Sequence, residues 1–184
     1  MQTAIQTYTG KMFNLFDFND FDFDIKDIAH ALSNICRYTG HTTYFYSVGL
    51  HSILASKLVS EDYKLVTLMH DATEAYLLDI PRPFKQSFYI NGIPYTQMEE
   101  RLWKVIARQH GLPSELPKAV KDADLQMLSI EYRDLMLHNN PDFWKNVPEP
   151  SEELFLNNIL ADMNNPRDVE EWFLDHYWRY KNAN

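Results

Sequence analysis

Apolar residues recur at helical spacing over most of the chain, and β-branched alternation of the strand type is rare. In "DIKDIAHALSNICRY", Ile28, Ala29, Leu32 and Ile35 share a face and predict a helix over about 25–37. A second helix begins near Ser47 in "FYSVGLHSILASKLVSE", with Val48, His51, Ser52 and Ala55 along one side. A third runs through "EDYKLVTLMHDATEAYLL", and "DIPRPFK" at 79–85 ends it, because two prolines flanking Arg82 cannot continue the hydrogen-bond ladder. "TQMEERLWKVIARQHGL" is amphipathic, with Met98, Leu102, Val105 and Ile106 facing inward and Gly111 closing it. "SELPKAVKDADLQMLSIEYRDLML" predicts a further long helix and "VEEWFLDHYWRYK" the last, with "NNPDFWKNVPEPSEE" as a loop between them. The segment 1–24 reads as irregular apart from one short strand near "GKMFNLF", and "FYINGIPY" at 88–95 as a small Asn-Gly hairpin. The expected fold is all-α, about six or seven helices in one domain over 1–184.

The length of 184 residues suits one core. No unbroken apolar stretch reaches the length of a membrane span, and "MQTAIQTYTGKM" lacks the basic region and apolar run of a signal peptide, so the expected place is the cytoplasm. The single cysteine, Cys36, excludes an internal disulfide and fits a reducing compartment. A formal net charge of −9 argues against broad binding to nucleic acid, which needs clustered Lys and Arg, but leaves room for an anionic small molecule held by a local metal and arginine. Trp172, Phe173, Tyr177 and Trp178 on the last helix suggest a homo-oligomer, or else pack internally.

One apolar run is interrupted. "LVTLMHDATEAYLLDI" carries His70, Asp71 and Glu74 where a buried segment is expected. On a continuous helix His70 and Glu74 share a face, and Asp71 lies about 100° round from His70. A buried carboxylate beside a buried imidazole is costly unless something replaces lost hydration, and a divalent cation does so economically. Two other helices offer ligands from apolar faces. His51 lies between Val48 and Ala55, and Asp124 precedes Met127 and Leu128, with Glu131 two turns further along and Asp122 an equally placed rival. Singly, each reads as an ordinary core or surface residue; in the order His, His-Asp, Asp on successive helices they point to metal binding.

That order resembles the HD-domain phosphohydrolase superfamily, and within it the bacterial 5′-deoxynucleotidases and the phage enzymes that hydrolyse dATP. The matching stretches are "DIAHALSNICRYTGHTTYFYSVGLHS" at 27–52, "HDATEAYLLDIPRPFK" at 70–85 and "VKDADLQMLSIEYR" at 120–133, within a likeness that runs from about Tyr8 to Leu137. The resemblance implies a helical bundle with a metal site between helices, and His51, His70, Asp71 and Asp124 as ligands of zinc, cobalt or manganese, with magnesium as a possible second ion. It implies Arg37 and Lys85 at phosphate, and Glu74 and Asp79 handling the attacking water and the leaving oxygen. Tyr38 stands where the bacterial nucleotidases have Trp, which bears on base preference, and "YTGHTTYFY" is closer to the phage version.

The implied activity is removal of phosphate from deoxyribonucleotides, dATP, dADP and dAMP above all. A general 5′-deoxynucleotidase, an HD phosphodiesterase and a non-catalytic nucleotide sensor are the alternatives. His41 faces phosphates or makes a loop hydrogen bond. Tyr44, Phe45 and Tyr46 wall a nucleoside pocket or belong to the core. His30 reads as structural, and His110, His138 and His176 receive no role. The implied partners are a deoxynucleotide and further copies of the chain, as dimer or hexamer, with neither nucleic acid nor membrane.

Overall fold

In a computed structural model of the chain, which describes residues 3–137, 142, 145, 147–163 and 165–183, the helix beginning after Ser47 is the axis of the molecule. This helix, α2 (Val48–Ser56), is capped by the Ser47 side chain, which accepts from the Leu50 N–H, and all nine of its residues are buried. The face expected to carry Val48, His51, Ser52 and Ala55 is thus not a stripe; the helix is covered all round, as a central helix must be. Around it pack α1 (Ile25–Asn34), α3 (Glu61–Leu68), α7 (Lys118–Leu135) and α9 (Pro166–Ala183). Gly49 lets α1 approach closely: a Cβ there would stand 3.0 Å from Ser33 Oγ and 3.1 Å from the Ser33 nitrogen.

The remaining elements are short or peripheral. One-turn helices α4 (Glu74–Leu77) and α5 (Arg82–Lys85) follow α3, and α6 (Tyr95–His110) ends at Gly111 in the left-handed conformation. Helix α8 (Leu156–Leu160) precedes α9. The fold is mainly helical, with nine α-helices among the described residues; the excess over six or seven comes from one-turn and five-residue pieces. The strand expected near Met12 is present as β2 (Met12–Asn14), paired antiparallel with β1 (Ala4–Gln6), which had been read as irregular. The Asn-Gly hairpin is also present, β3 (Tyr89–Ile90) against β4 (Ile93–Pro94), with positive φ at Asn91 and Gly92 as a type I′ turn requires. No helix among the described residues is long and apolar enough to cross a membrane.

Three expectations need correction. The helix over 25–37 stops at Asn34: Ile35 and Cys36 are extended, Cys36 bridges Ser47, and Arg37 opens a separate 3₁₀ turn, Arg37–Gly40, with positive φ at Tyr38 and Thr39. The helix over 61–78 is broken after Leu68. In a continuous helix the Thr67 carbonyl would accept from the Asp71 N–H; here it accepts the His70 ring Nδ1–H at 2.7 Å and the His70 N–H at 3.4 Å instead. His70 and Asp71 therefore lie on a tight turn, closed by Ala72 N–H to Met69 O and Glu74 N–H to Asp71 O, both 2.9 Å. Finally, the aromatic C-terminal helix is not an exposed face. Phe173 and Tyr177 are buried, Trp172 is half-buried under the Lys57 ammonium, and of the four only Trp178 is largely exposed, at 52%. Phe173 and Tyr177 pack inward because α9 lies across α1, α2 and α3, the second of the two alternatives for this helix. His138 lies outside the described residues.

Two histidines given no role are buried and hydrogen-bonded, and one of them is a structural joint. His110 donates Nε2–H to the Phe23 carbonyl (3.0 Å), and its Nδ1 accepts from the Tyr177 hydroxyl (2.8 Å), tying the N-terminal segment, α6 and α9 together. Burial lowers its pKa, and burial lowers that of His176, whose Nδ1–H donates to the Trp172 carbonyl. A histidine held neutral in the folded state binds protons later than the unfolded chain does. Its stabilisation is therefore complete above the unfolded value of about 6.5 and is lost as pH falls below it. The expected result in calorimetry is a melting temperature that begins to fall near pH 6.5, with a shallower fall in His110→Gln; a wild-type midpoint unchanged down to about pH 5.5 would contradict the assignment.

Candidate metal centre

Three elements that share no local sequence bring their polar groups to one point. His51 projects from the middle of α2 and is fully buried, His70 and Asp71 come from the turn after α3, and Asp124 from α7. His51 Nε2 lies 3.4 Å from His70 Nε2 and 3.3 Å from Asp124 Oδ1, and His70 Nε2 lies 3.9 Å from the same oxygen. Asp71 Oδ2 is 3.3 Å from His70 Nε2 and 3.7 Å from His51 Nε2. Ligand bonds of about 2.0–2.1 Å in tetrahedral geometry imply an edge of about 3.3–3.4 Å between donor atoms, so these spacings suit a shared divalent ion. His51, His70 and Asp124 form a group that could hold a metal ion. The rival Asp122 is exposed and paired with Lys118 one turn before it.

The hydrogen bonds behind the imidazoles fix which nitrogen faces the cluster. A carbonyl only accepts, so His70 donates Nδ1–H to Thr67 O and turns Nε2 inward. His51 Nδ1 lies 2.6 Å from Glu131 Oε1. Burial pushes the Glu131 pKa up, but Arg37 and His51 outweigh it and hold the value down at about 2, so this carboxylate is ionised and accepts from His51 Nδ1–H. Both Nε2 atoms then present lone pairs to one another and to two carboxylates, an arrangement that needs a positive charge at its centre. Without an ion a proton takes that place: burial and Arg37 push the His51 pKa down, but Glu131 and Asp124 raise it to about 9. Asp124 is pulled well below the usual carboxylate range, since its hydrogen bonds to His51 and His70 outweigh burial.

Glu131 is the residue that sequence reasoning left unassigned. It is fully buried and collects Arg37 Nη2 at 3.2 Å, the Tyr38 hydroxyl and His51. Its spacing of seven from Asp124 was visible and placed it on the same side of α7, but nothing local names His51 as its partner. Arg37 also approaches Asp71, Nη1 to Oδ2 at 3.6 Å, so one guanidinium ties a ligand's hydrogen-bond partner to the turn of the His-Asp pair. The loop that carries Arg37 is pinned at both ends, by Arg37 N–H to Tyr46 O (2.9 Å) and Val48 N–H to Ile35 O (3.0 Å).

Next to this cluster lies a second group. Lys85 Nζ is 2.7 Å from Glu99 Oε1 and 3.4 Å from Glu74 Oε1. Glu74 is 4% exposed, and its other oxygen, Oε2, is buried with no partner. Burial, then the charges of Asp71 and Asp79, push the Glu74 pKa well up, against Lys85 and Arg37. Asp79 is half-buried and raised, first by burial, with Arg37 opposing and Asp71 adding. Burial pushes Lys85 down, but Glu74 and Glu99 outweigh it and raise its pKa. His41, by contrast, is exposed on the 37–46 loop, and no side-chain hydrogen bond joins it to the cluster. Tyr44 is exposed, Phe45 half-buried, and Tyr46 belongs to the core.

Over 153 residues the chain is 45% identical to the uncharacterized protein YfdR of Escherichia coli K12, covering 82% of this chain and 83% of that one. The chain belongs to the YfdR family. The uncharacterized protein RCAP_rcc00048 of Rhodobacter capsulatus is 36% identical over 124 residues, a match spanning 62% of each chain. No protein-family model matches the chain.

Partners behind metal ligands typically govern affinity by about 10–100-fold. Glu131→Gln is therefore expected to weaken divalent-ion binding by about that factor in chelator competition, and His70→Ala or Asp124→Asn to abolish tight binding. Asp122→Asn should bind as the wild type does. Equal affinities for Glu131→Gln and wild type would show that the buried pair with His51 does not tune the site.

Proposed function

We propose that the chain is a metal-dependent phosphohydrolase of the HD-domain type that removes phosphate from deoxyribonucleotides of the cytoplasmic pool, with dATP, dADP and dAMP as its substrates. The observation that carries the reading is Glu74, a buried carboxyl with an unpartnered oxygen beside a cluster suited to a divalent ion. A purely structural ion site has no use for such a group, and leaving it unpaired carries a desolvation penalty of about 1–3 kcal/mol or more. His51, His70, Asp71 and Asp124 would hold the ion, for which imidazole with carboxylate suits zinc, cobalt or manganese. When bound, the ion supplies water activation and neutralises charge on a phosphoryl oxygen.

The chain's own groups complete the chemistry. Glu74, its pKa lifted well above the usual carboxyl range by burial and by neighbouring Asp71 and Asp79, is the candidate to exchange a proton with the attacking water. Arg37 and Lys85 are the two cations of the pocket and would meet phosphate oxygens, Arg37 with its forked donors. Water adds to phosphorus, the bond from phosphorus to the leaving oxygen breaks, Glu74 accepts the water proton, and Asp79, itself raised by burial, returns one to the leaving oxygen. Tyr38 is braced on Glu131 by its hydroxyl, so its ring rather than its polar end is left for a sugar or base.

The test is chromatography of products from purified protein with manganese, cobalt or magnesium and each deoxynucleoside mono-, di- and triphosphate. Phosphate release confined to the deoxyadenosine series is the expected result. Glu74→Gln should lose about 10²–10⁴-fold in kcat while keeping its ion. Release from all monophosphates but no triphosphate would move the assignment to a general 5′-deoxynucleotidase. An ion-loaded protein that turns over none of these compounds would sink the proposal.

A further inference from the structure

The pocket around Glu74 asks for more positive charge than Arg37 supplies. Asp71 and Asp79 lie near enough to Glu74, and Glu74 and Glu99 to Lys85, for their charges to act on one another, and Glu74 Oε2 is buried without a partner. In many hydrolytic centres a second divalent ion, about 3.5–4 Å from the first, fills such a place. Here another cation is already built in. Helix α5 is a single turn that follows the Pro81 break, and it delivers Lys85 between Glu74 and Glu99. The Lys85 ammonium is held on three sides, by Glu99 Oε1 at 2.7 Å, Glu74 Oε1 at 3.4 Å and the face of Tyr95 at 5.7 Å.

We propose that Lys85, fixed by Glu99, occupies the place of a second cation, so that the centre takes a single divalent ion and Glu74 stays free of coordination. The assignment rests on reading the His51, His70 and Asp124 cluster as an ion site, and not on the substrate. Its physical basis is exclusion. A divalent ion on Glu74 would sit against an ammonium already bonded to the same carboxylate, and like charges at that spacing repel strongly in a pocket shielded from water. An ammonium also differs from an ion in what it leaves available. It donates hydrogen bonds to Glu74 without binding its lone pairs in a coordination shell, so the carboxyl keeps its capacity to move a proton. Glu99 then has a purpose that its place on the outer start of α6 does not suggest: it is a positioning residue for Lys85.

The test counts ions. Wild-type protein loaded with excess manganese and desalted is expected to hold one ion per chain by native mass spectrometry and elemental analysis, with the electron paramagnetic resonance signal of isolated manganese. Lys85→Met should acquire a second ion and show the exchange coupling of a manganese pair, and Lys85→Met with Glu74→Gln should return to one. Glu99→Gln, which keeps the lysine but loosens it, should bind a second ion with lower occupancy than Lys85→Met; this variant and the wild-type count stand if Lys85→Met does not fold. Two ions in the wild type, or one ion in a folded, saturated Lys85→Met, would overturn the assignment while leaving the hydrolase reading intact. No ion at all would remove the ion-site reading and this assignment together.

Discussion

Two imidazole nitrogens turned toward each other, 3.4 Å apart between buried histidines, are the constraint around which the rest is arranged. Their orientation is not free to relax, because each ring is held from behind by an acceptor, the Thr67 carbonyl or the Glu131 carboxylate. That fixing has consequences at every level. Taking the Thr67 carbonyl for His70 ends α3 and creates the turn that swings Asp71 toward Arg37. Taking Glu131 for His51 forces a charged group into the full depth of the core, and Arg37 and Tyr38 must then be folded back over it. Removing Arg37 would leave Glu131 unpaired in the core, at a cost of about 3–5 kcal/mol, and the 3₁₀ turn with its positive φ values at Tyr38 and Thr39 is what brings Arg37 and Tyr38 to that carboxylate.

The long elements were legible because they depend on burial alone. Met98, Leu102, Val105 and Ile106 repeat with helical period and are buried on α6, and Asn91-Gly92 demands positive φ wherever it stands between strands. The His-Asp pair was legible for the opposite reason, as titratable residues where the pattern required apolar ones. What could not be read were consequences of contacts far apart in sequence. The propensities of 65–78 favour an unbroken helix, and only the competition for one carbonyl interrupts it. Glu131 looks like any polar residue two turns along a helix until His51, 80 positions away, is placed beside it. Glu99 is more hidden still, next to the exposed Glu100 on an amphipathic helix, and only the lysine delivered by α5 distinguishes it.

The break in the helix and the clustering of His51, His70 and Asp124 have the same origin. A continuous helix would have put His70 and Glu74 one above the other on a single face, and the pair would have competed for the same space. The break separates them: His70 turns to the α2 and α7 side, while Glu74 begins a new helical turn and reaches toward Lys85 and Glu99. On the proposed reading, ion holding and proton handling thereby fall to neighbouring but distinct groups. The aromatic residues of α9 show the complementary rule. Their pattern resembled an exposed surface, yet most are buried, because α9 has to cover α1, α2 and α3 at once and one apolar stripe is too narrow for that.

On the proposed reading, rigidity and selectivity fall on different parts of the molecule. His51 sits on a helix buried on every side, and neither its backbone nor its ring can move without disturbing α1, α3, α7 and α9 together. The groups that would meet an anionic ligand lie instead on connections: Arg37 and Tyr38 on the turn after α1, Asp79 after α4, and Lys85 on one-turn α5. These connections are held at pinned or strained points, the Arg37 loop at both of its ends. Leu78 illustrates this, with φ of 71° and its carbonyl held by the Tyr95 hydroxyl at 2.7 Å just before Asp79. On the proposed reading, substitutions in α2 should be felt by every substrate alike, whereas changes in these connections redistribute preference among bases and phosphate numbers without dismantling the ion site. Chemistry fixed by the core and choice placed on the rim are what a fold needs if relatives sharing its centre are to differ in what they accept.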